Sequence, residues 1–439
     1  KRQTNMKTMN LTTLTDKIQS IFAPKTLFSI ARSVKLVERS RQFNPYYLLL
    51  AVIDTLGCQS KANLADIHRK YQTISGMPIR YKPFHNQLKK EQCRDFMQQC
   101  FEMVMQHWAL HTLKLTSLST GYAFPFSQVK LHDGCSFQLH DGLQTEYPGR
   151  FKNRYPAAVE LHVTMDLLSS SVDYLALGAD TEPERPHAPK AQTLNDTLLL
   201  TDAGYFDRDK IAEIDKNGGY TITQALCSIN PVIKSAYDYQ GNAIKKAKGK
   251  KLKTLQLKDK NTIIDLTAQW DKNPFEYRVI AFWYKKKKRV GYLVTNLSRE
   301  TIPASDVVEL YRLRWQIELL FKELKSYCNL KKFSTQKEPI VCALIYASFI
   351  TVLLKRMMAF ATEALKSLWI STQKVARSAP IWLSLLVNKL SQHHAVAIAV
   401  EECVELISKL CPRAHPKRDL KDGLYQFGVT SLVENNGID

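Results

Sequence analysis

The periodicity of hydrophobic residues divides the chain into helical first and last parts and a strand-rich middle. Residues 1–125 carry helical patterns, among them NPYYLLLAVIDTL, which begins with a capping Asn44 and an early proline. From Ser60, short helical segments surround a turn that contains glycine, and they fit a helix-turn-helix or a plain helical bundle. Helical patterns return from Ser305 to about Cys411. The apolar stretch 340–354 is short for a membrane span, so we predict a buried helix there.

The middle of the chain alternates apolar and polar residues as strands do. SQVKLHDGCSF places Val129 and Leu131 on one face before it reaches Asp133, and AAVELHVTMDLLSSSVDYLALG adds two strand-like runs. TLLLTDAGYF is a continuous apolar run that ends in Asp202, as expected of a buried strand with a polar residue at its tip. Residues 219–300 are also β-patterned and contain two basic runs, 245–260 and 285–289. We predict that the second run forms a hairpin tip.

A long helix is predicted to begin near Ser305 and to continue through SDVVELYRLRWQIELLFKELKSYC. Its apolar residues recur every three or four positions and form one stripe: Leu310, Leu313, Ile317, Leu320, Leu324 and Cys328. Tyr311, Glu318 and Lys325 are seven residues apart, and Arg314 comes four residues before the glutamate. These spacings place all four polar side chains in one column along the helix.

The polar column has two interpretations. It fits an ordinary amphipathic helix with a surface ion pair between Arg314 and Glu318. It also fits a site in which the glutamate holds a metal ion while the neighbouring Arg, Lys and Tyr grip the phosphodiester on which the metal acts. Trp315 lies at the edge of this column. The chemical fit favours the second interpretation.

The charge balance indicates a polyanionic partner. The chain has 62 Lys and Arg against 41 Asp and Glu, a formal net charge of +21. Neutralised phosphates release counterions, so such a surplus favours nucleic acid, although a soluble basic enzyme or a ribosome-associated protein would share it. The nine cysteines form no C-x-x-C pair and no zinc-finger spacing. We therefore expect reduced thiols in a cytosolic protein, with neither a zinc site nor a disulfide framework.

The polar column carries a family resemblance. Y-x2-R-x3-E-x6-K, formed by Tyr311, Arg314, Glu318 and Lys325, resembles the signature of bacterial DDE transposases of the "insertion sequence four" superfamily. The resemblance extends to LVTNLSRETIPASDVVELYRLRW, HDGCSF, YPGRFKNRYPAAVELHVT and LLLTDAGYF, which together span about residues 129–332. The order Asp, Asp, Glu is also the order of that family.

This resemblance implies an α/β fold with an RNase H-like catalytic core, a mixed sheet with helices on both faces. The core would comprise residues 126–218 and 301–365, interrupted by a basic β-strand insertion at 219–300 that reaches over transposon-end DNA. Residues 1–125 would form a helical DNA-binding region, and residues 366–439 a helical C-terminal region. The expected protein is a cut-and-paste transposase of the bacterial cytoplasm that acts, as a homodimer, on transposon-end DNA and target DNA.

The resemblance also implies the catalytic acids. Asp133, Asp202 and Glu318 would hold two Mg²⁺ ions, or Mn²⁺, for phosphodiester cleavage and strand transfer, because clustered carboxylates repel one another unless cations intervene. Leu-His-Asp-Gly occurs twice, which makes Asp141 an alternative to Asp133. The alternatives to Asp202 have features of turn or helix-start residues: Asp196 and Asp207.

Aromatic and basic side chains near these acids are the predicted DNA contacts. Some relatives form a DNA hairpin and flip a base onto an aromatic ring, for which Trp270 is a further candidate, although core packing is its expected role. The predicted contacts are Tyr311, Arg314, Trp315, Lys325, Trp283, Lys285, Lys286, Lys287, Lys288 and Arg289. An RNase H-like nuclease or junction resolvase would share the acids but not the column or the insertion. A catalytically inactive DNA-binding derivative would not need all three acids intact.

Overall fold

A mixed nine-stranded sheet lies at the centre of the protein, and helices from both ends of the chain pack together. The structure is a computed structural model. It describes residues 10–38, 43–107, 113–115, 124–169, 171–226, 228–255, 257, 262–270, 275–284, 289–330, 333–413 and 433–435.

The described strands form two sheets. They are β1 (Leu113–Leu115), β2 (Gln128–Gln138), β3 (Ala158–Asp166), β4 (Val172–Ala179), β5 (Thr197–Thr201), β6 (Tyr220–Ala225), β7 (Val232–Tyr237), β8 (Ile263–Gln269), β9 (Glu276–Tyr284), β10 (Arg289–Thr295) and β11 (Val433–Asn435). β1 pairs with β11, so each helical end of the chain contains one short strand that was not predicted. The other nine strands follow the order β4-β3-β2-β5-β6-β10-β9-β8-β7.

The first five strands in this order form the half of the sheet that carries the two predicted aspartates. β2 and β4 pair antiparallel with β3, whereas β5 is parallel to both β2 and β6. Every residue of β5 is buried. Burial on both faces explains why the β5 sequence is continuously apolar instead of alternating. The mixed α/β sheet expected from the sequence is thereby confirmed.

The basic β segment extends this same sheet. β10 pairs antiparallel with β6, and β9, β8 and β7 follow as an antiparallel series. The predicted insertion began at residue 219 and so included β6. In the structure β6 lies between β5 and β10, and β10, β9, β8 and β7 (the additional strands) continue the sheet beyond β6. β6 has the same strand periodicity as the segment that follows it, so the sequence contains no break at that point.

The described helices lie at the two ends of the chain and around the sheet. They are α1 (Leu11–Ile21), α2 (Pro24–Ser33), α3 (Pro45–Cys58), α4 (Leu64–Ser75), α5 (Tyr81–Leu88), α6 (Glu91–His107), α7 (Arg208–Lys216), α8 (Ala304–Arg312), α9 (Trp315–Tyr327), α10 (Glu338–Lys366), α11 (Thr372–Arg377), α12 (Ala379–Ser391) and α13 (Val396–Leu410). α4 and α5 are the two helices predicted around a glycine, since α4 ends at Gly76 in the left-handed conformation (φ 66°).

The helices from the two ends form one helical body. α1 packs on α13, and α3 packs on both α10 and α12. The Tyr46 hydroxyl donates a 2.6 Å hydrogen bond to the Leu390 carbonyl across this contact. α10 is the one helix in the described ranges that is long and apolar enough to span a membrane, and its apolar window is wholly buried in the protein. The prediction of a buried helix at 340–354 is confirmed.

The single helix predicted from Ser305 is divided into α8 and α9. The two residues between them, Leu313 and Arg314, donate backbone hydrogen bonds to Leu310 and Tyr311, three positions back. This tighter, 3₁₀-type pairing interrupts the α-helical hydrogen-bond ladder without reversing the chain direction. The apolar stripe is preserved, because each of its six members is fully buried: Leu310, Leu313, Ile317, Leu320, Leu324 and Cys328.

The cysteines serve as small apolar residues. Eight of the nine carry free thiols, and all of these except Cys58 are buried. The ninth, Cys227, lies outside the described residues.

Candidate active site

Asp133 lies on β2, between β3 and β5. It is directly opposite Val163 of β3, and its side chain is 15% exposed. One carboxylate oxygen, Oδ1, accepts a 2.9 Å hydrogen bond from the backbone N–H of Gly134. The strand therefore holds this carboxylate in a fixed position at the middle of the sheet.

Asp202 follows β5 directly and caps the short 3₁₀ turn Ala203–Tyr205. Its Oδ1 accepts a 2.9 Å hydrogen bond from the Gly204 N–H. β2 and β5 are parallel neighbours in which Leu131 pairs with Leu200, so two further residues along each strand bring the chain to Asp133 and Asp202. The sheet register thus places the two aspartates side by side.

Glu318 lies in the first turn of α9, which packs against β2. Arg314, in the tight turn before this helix, connects the glutamate to the sheet. Its Nη1 donates to Asp133 Oδ2 at 2.8 Å, and its Nη2 donates to Glu318 Oε1 at 2.7 Å. The ion pair predicted within the helix is therefore present. It also includes a carboxylate far away in the sequence and lies largely inside the protein, with Arg314 only 15% exposed.

The electrostatics of Asp133 reflect this crowding. Burial, together with the charges of Asp202 and Glu318, raises the pKa of its carboxyl to about 7, although Arg314 acts to lower it. Each of the other two acids therefore lies close enough to oppose ionisation of Asp133. A cation placed among the three would relieve that repulsion.

The donor chemistry suits a divalent cation, since carboxylate oxygens are the ligands that Mg²⁺ and Mn²⁺ prefer. Within the described ranges, no group of three His, Cys, Asp or Glu side chains is gathered closely enough to hold a metal ion. Arg314 lies between two of the carboxylates instead and supplies a positive charge there. The three carboxylates therefore fit a divalent cation in their chemistry, while the positions of two of them in the structure are set by the guanidinium.

The other members of the polar column contact the sheet at separate points. The Tyr311 hydroxyl donates to Gln224 Oε1 of β6 at 3.3 Å, and the Arg314 guanidinium lies 6.0 Å from the centre of the Tyr311 ring. Lys325 Nζ donates to the Ser136 carbonyl of β2 at 3.1 Å. Trp315 is half-buried at the start of α9. The column as a whole therefore lies along the edge where α8 and α9 meet the sheet.

The predicted DNA contacts of the additional strands lie on the hairpin of β9 and β10. Arg289 is exposed and pairs with Tyr284 across the hairpin, and Trp283, opposite Val290, is half-buried. Lys285, Lys286, Lys287 and Lys288 lie outside the described residues. Trp270 packs against Phe206, Tyr277 and the Arg208 guanidinium, which agrees with its expected role in the core.

The alternative aspartates lie in different settings. Asp141 is exposed and begins a 3₁₀ turn beyond the end of β2. Asp196 is a turn residue with a positive φ of 54°, and Asp207 caps α7 by accepting hydrogen bonds from two backbone N–H groups. Asp141 thus lacks the arginine-bound strand position of Asp133, and neither Asp196 nor Asp207 shares the position of Asp202 directly after β5.

An acidic cluster beside the aspartates was not predicted. Arg150, from the loop between β2 and β3, is bound by Glu160, Asp180 and Glu184. Burial, together with the charge of Glu184, raises the pKa of Glu160 to about 7, although Arg150 acts to lower it. These residues lie within or near YPGRFKNRYPAAVELHVT, a segment that contributed to the resemblance. Nothing in their spacing indicates contact, because the arginine binds partners 10 and 34 residues away.

Comparisons with known proteins identify a family and related transposases. Residues 125–354, just over half of the chain, match the family described as "Transposase DDE domain". The chain is 22% identical to the transposase for insertion sequence element IS231F of Bacillus thuringiensis subsp. israelensis, covering 77% of this chain and 78% of the relative. It is also 22% identical to the transposase for IS1151 of Clostridium perfringens, covering 80% and 81%. The putative transposase for IS4SA of Synechocystis sp. is 27% identical over 36% of this chain and 46% of the relative.

The matched range contains β2, β5, α8 and α9, the elements that carry the two aspartates and the polar column. The IS231F and IS1151 relatives are insertion-sequence transposases that the chain covers over most of their length. The protein therefore belongs to the transposase DDE domain family, as an insertion-sequence transposase of the "insertion sequence four" group and an enzyme that acts on DNA phosphodiester bonds.

Proposed function

We propose that this protein is a cut-and-paste transposase that cleaves the ends of its element and joins them to target DNA. The observation that carries the proposal is the set of contacts made by Arg314. This guanidinium binds Asp133 of β2 and Glu318 of α9, and the charge of Asp202 acts on the same Asp133 carboxyl. Two acids from separate elements, Asp133 and Glu318, thus meet at one positively charged position, and the sheet register brings Asp202 next to Asp133.

Asp133, Asp202 and Glu318 would hold two Mg²⁺ or Mn²⁺ ions. When bound there, such ions supply activation of the attacking oxygen and stabilisation of the leaving oxygen at phosphorus. Arg314, displaced from the carboxylates, has five N–H donors that suit a phosphodiester. The Tyr311 hydroxyl and the Lys325 ammonium lie along the same edge and would orient the DNA backbone.

The DNA would extend from this edge over the additional strands. Arg289 lies at the exposed start of β10, beside the run 285–288, and the net charge of +21 favours phosphate contact over a wide surface. α4 and α5 would bind the element's ends. Half-buried Trp315 and Trp283 would be the aromatic surfaces for an unstacked base if a hairpin forms. We further propose a homodimer, in the bacterial cytoplasm, that brings two ends together.

The catalytic acids can be tested by conservative amide substitutions. In a reaction with duplex DNA carrying the element's terminal sequence and Mg²⁺, Asp133→Asn, Asp202→Asn and Glu318→Gln should each reduce cleavage roughly a thousandfold, the equivalent of losing several kcal/mol of transition-state stabilisation. Asp141→Asn is the matched control, because Asp141 belongs to the second copy of the same Leu-His-Asp-Gly sequence and its side chain is exposed. It should cleave like the wild type.

Gel analysis of the products separates transposition from simple hydrolysis. Wild-type protein given target DNA should yield strand-transfer products as well as cleaved ends, whereas a nuclease or resolvase would give no joined product. Cleavage that survives Glu318→Gln, or that is lost in Asp141→Asn, would refute the assignment of the acids.

A further inference from the structure

Arg150 connects three acidic residues next to the two aspartates. Its Nη2 donates to Glu160 Oε2 at 2.8 Å and to Glu184 Oε1 at 2.9 Å. Its backbone N–H donates to Asp180 Oδ2 at 2.9 Å, and its Nε donates to the Asp180 carbonyl. One guanidinium therefore fixes the positions of side chains from β3 and from the loop after β4.

Glu160 in turn packs against the backbone that holds Asp133. It is 3% exposed, and a Cβ atom added to Gly134 would lie only 2.8 Å from Glu160 Oε1. Gly134 is the residue whose N–H binds Asp133 Oδ1. The Glu160 carboxylate therefore packs directly against Gly134, whose N–H orients Asp133.

Glu184 packs in a similar way against Gly204, the residue whose N–H binds Asp202. A Cβ atom added to Gly204 would lie 3.3 Å from Glu184 Oε2 and 3.2 Å from Asp202 Oδ1. The N–H of Gly204 binds that same Asp202 oxygen. Each aspartate is therefore held by a glycine N–H, and each of these glycines is packed against a glutamate that Arg150 holds.

We propose that Arg150 is a positioning residue for the metal site: through Glu160 and Glu184 it fixes the spacing between Asp133 and Asp202. This inference rests on the proposed function, because it concerns the same carboxylates. Arg150 itself binds neither aspartate in the structure, so its effect must pass through the two glutamates. Groups that support metal ligands in this way commonly change metal affinity by about 10- to 100-fold when they are removed.

The test is a calorimetric titration of the full chain with Mn²⁺, paired with the Mn²⁺ dependence of end cleavage. Arg150→Met should weaken Mn²⁺ binding about tenfold or more and raise the concentration for half-maximal cleavage by the same factor. Loss of a nearby positive charge should by itself tighten cation binding. Weaker binding therefore reports positioning, and unchanged or tighter binding would overturn the proposal.

Two further variants keep the test decisive. Arg154→Met is the matched control, since Arg154 lies exposed on the same loop with its guanidinium 5.3 Å from the Tyr155 ring centre. Its Mn²⁺ affinity should stay within about twofold of wild type. Should Arg150→Met fail to fold, Arg150→Lys keeps the charge but not the planar set of donors. Positioning requires weaker Mn²⁺ binding in that variant too, and wild-type affinity there would refute it.

Asp133→Asn separates this inference from the function on which it rests. If that variant loses Mn²⁺ binding while Arg150→Met binds like the wild type, the metal site stands and the role of Arg150 is wrong. If Asp133→Asn binds Mn²⁺ like the wild type, the metal site itself is wrong, and the proposed role of Arg150 fails with it.

Discussion

Arg314 makes ion pairs with two carboxylates at once, so it occupies oxygens that a metal ion would need. At the proposed metal site, its bonds of 2.8 Å to Asp133 and 2.7 Å to Glu318 would compete with a cation for these two carboxylates. A phosphodiester offers the guanidinium an alternative partner of the same charge. Binding of DNA and binding of metal should therefore promote each other, because each draws Arg314 towards the same arrangement.

This coupling predicts opposite effects of one substitution. Arg314→Gln should bind Mn²⁺ about tenfold more tightly than wild type in the absence of DNA, a change of ~1.4 kcal/mol. The same variant should bind end DNA more weakly and lose cleavage. Calorimetry with Mn²⁺ and a gel-shift assay with end DNA measure the two effects. Arg312→Gln, which removes the neighbouring arginine paired with Glu309, should change neither, and equal Mn²⁺ affinity in wild type and Arg314→Gln would argue against the coupling.

The two Leu-His-Asp-Gly segments show how far single residues can be predicted. The alternation of Val129 and Leu131 identified Asp133 as the acid on a strand, and the structure places it there while leaving Asp141 exposed. Pattern could not reveal why a glycine follows Asp133. In the structure Glu160 Oε1 lies 2.8 Å from the position of a Cβ on Gly134, a contact that exists only after β2 and β3 have paired.

At the scale of elements, one buried lysine connects the ends of three helices. Lys355 of α10 is 2% exposed, and its Nζ donates to the carbonyls of Gly57, Tyr327 and Ala376 at 2.8, 2.7 and 3.5 Å. These carbonyls belong to the last turns of α3, α9 and α11, where helix dipoles concentrate negative charge. The lysine therefore ties the helix that carries Glu318 to helices from both ends of the chain.

Removing this ammonium should destabilise the whole helical body. Lys355→Met leaves buried carbonyls without a donor, at about 1–3 kcal/mol each, so the free energy of unfolding should fall by roughly 3 kcal/mol or more. Urea denaturation followed by circular dichroism measures the change. Lys366→Met is the control, since Lys366 lies at the exposed end of α10 in a surface pair with Glu405 and should cost less than about 1 kcal/mol. Equal losses of unfolding free energy in the two variants would show that the hydrogen bonds of Lys355 to the three helix ends add no stability beyond that of a surface ion pair.

Periodicity in the sequence predicted the presence of the helices and strands better than it predicted where they begin and end. The apolar stripe from Leu310 to Cys328 predicted which side of α8 and α9 is buried, because that stripe depends on spacing alone. The interruption at Leu313 and Arg314 depends on contacts with β2 and α9, so a pattern of apolar residues could not reveal it. β6 illustrates the same limit, since its place beside β5 is decided by strand pairing.

At the scale of the whole molecule, four buried ionisable groups near the site respond to acid in opposite directions. Burial lowers the pKa of His132 to about 3 and that of His162 to about 4, with neighbouring histidine charges contributing in the same sense. Burial raises the pKa of Asp133 and of Glu160 to about 7. As pH falls below 6.5, the unfolded chain takes up protons on the histidines that the folded protein does not. Between pH 7 and 5, the folded carboxyls take up protons that the unfolded chain does not.

Substitutions should separate these opposing contributions in the metal-free protein. Because the folded pKa of His162 is depressed, its stabilising contribution is complete above pH 6.5 and declines as pH falls towards 4. As pH falls from 7 to 5, the free energy of unfolding of His162→Gln should therefore rise by about 2 kcal/mol relative to that of the wild type. Because the folded pKa of Glu160 is raised, its contribution is complete below pH 4.5 and declines as pH rises through 7. Over the same fall in pH, the free energy of unfolding of Glu160→Gln should therefore decrease by about 2 kcal/mol relative to that of the wild type. Urea unfolding at the two pH values measures both differences. Differences of the same sign would contradict the opposite pKa shifts of His162 and Glu160.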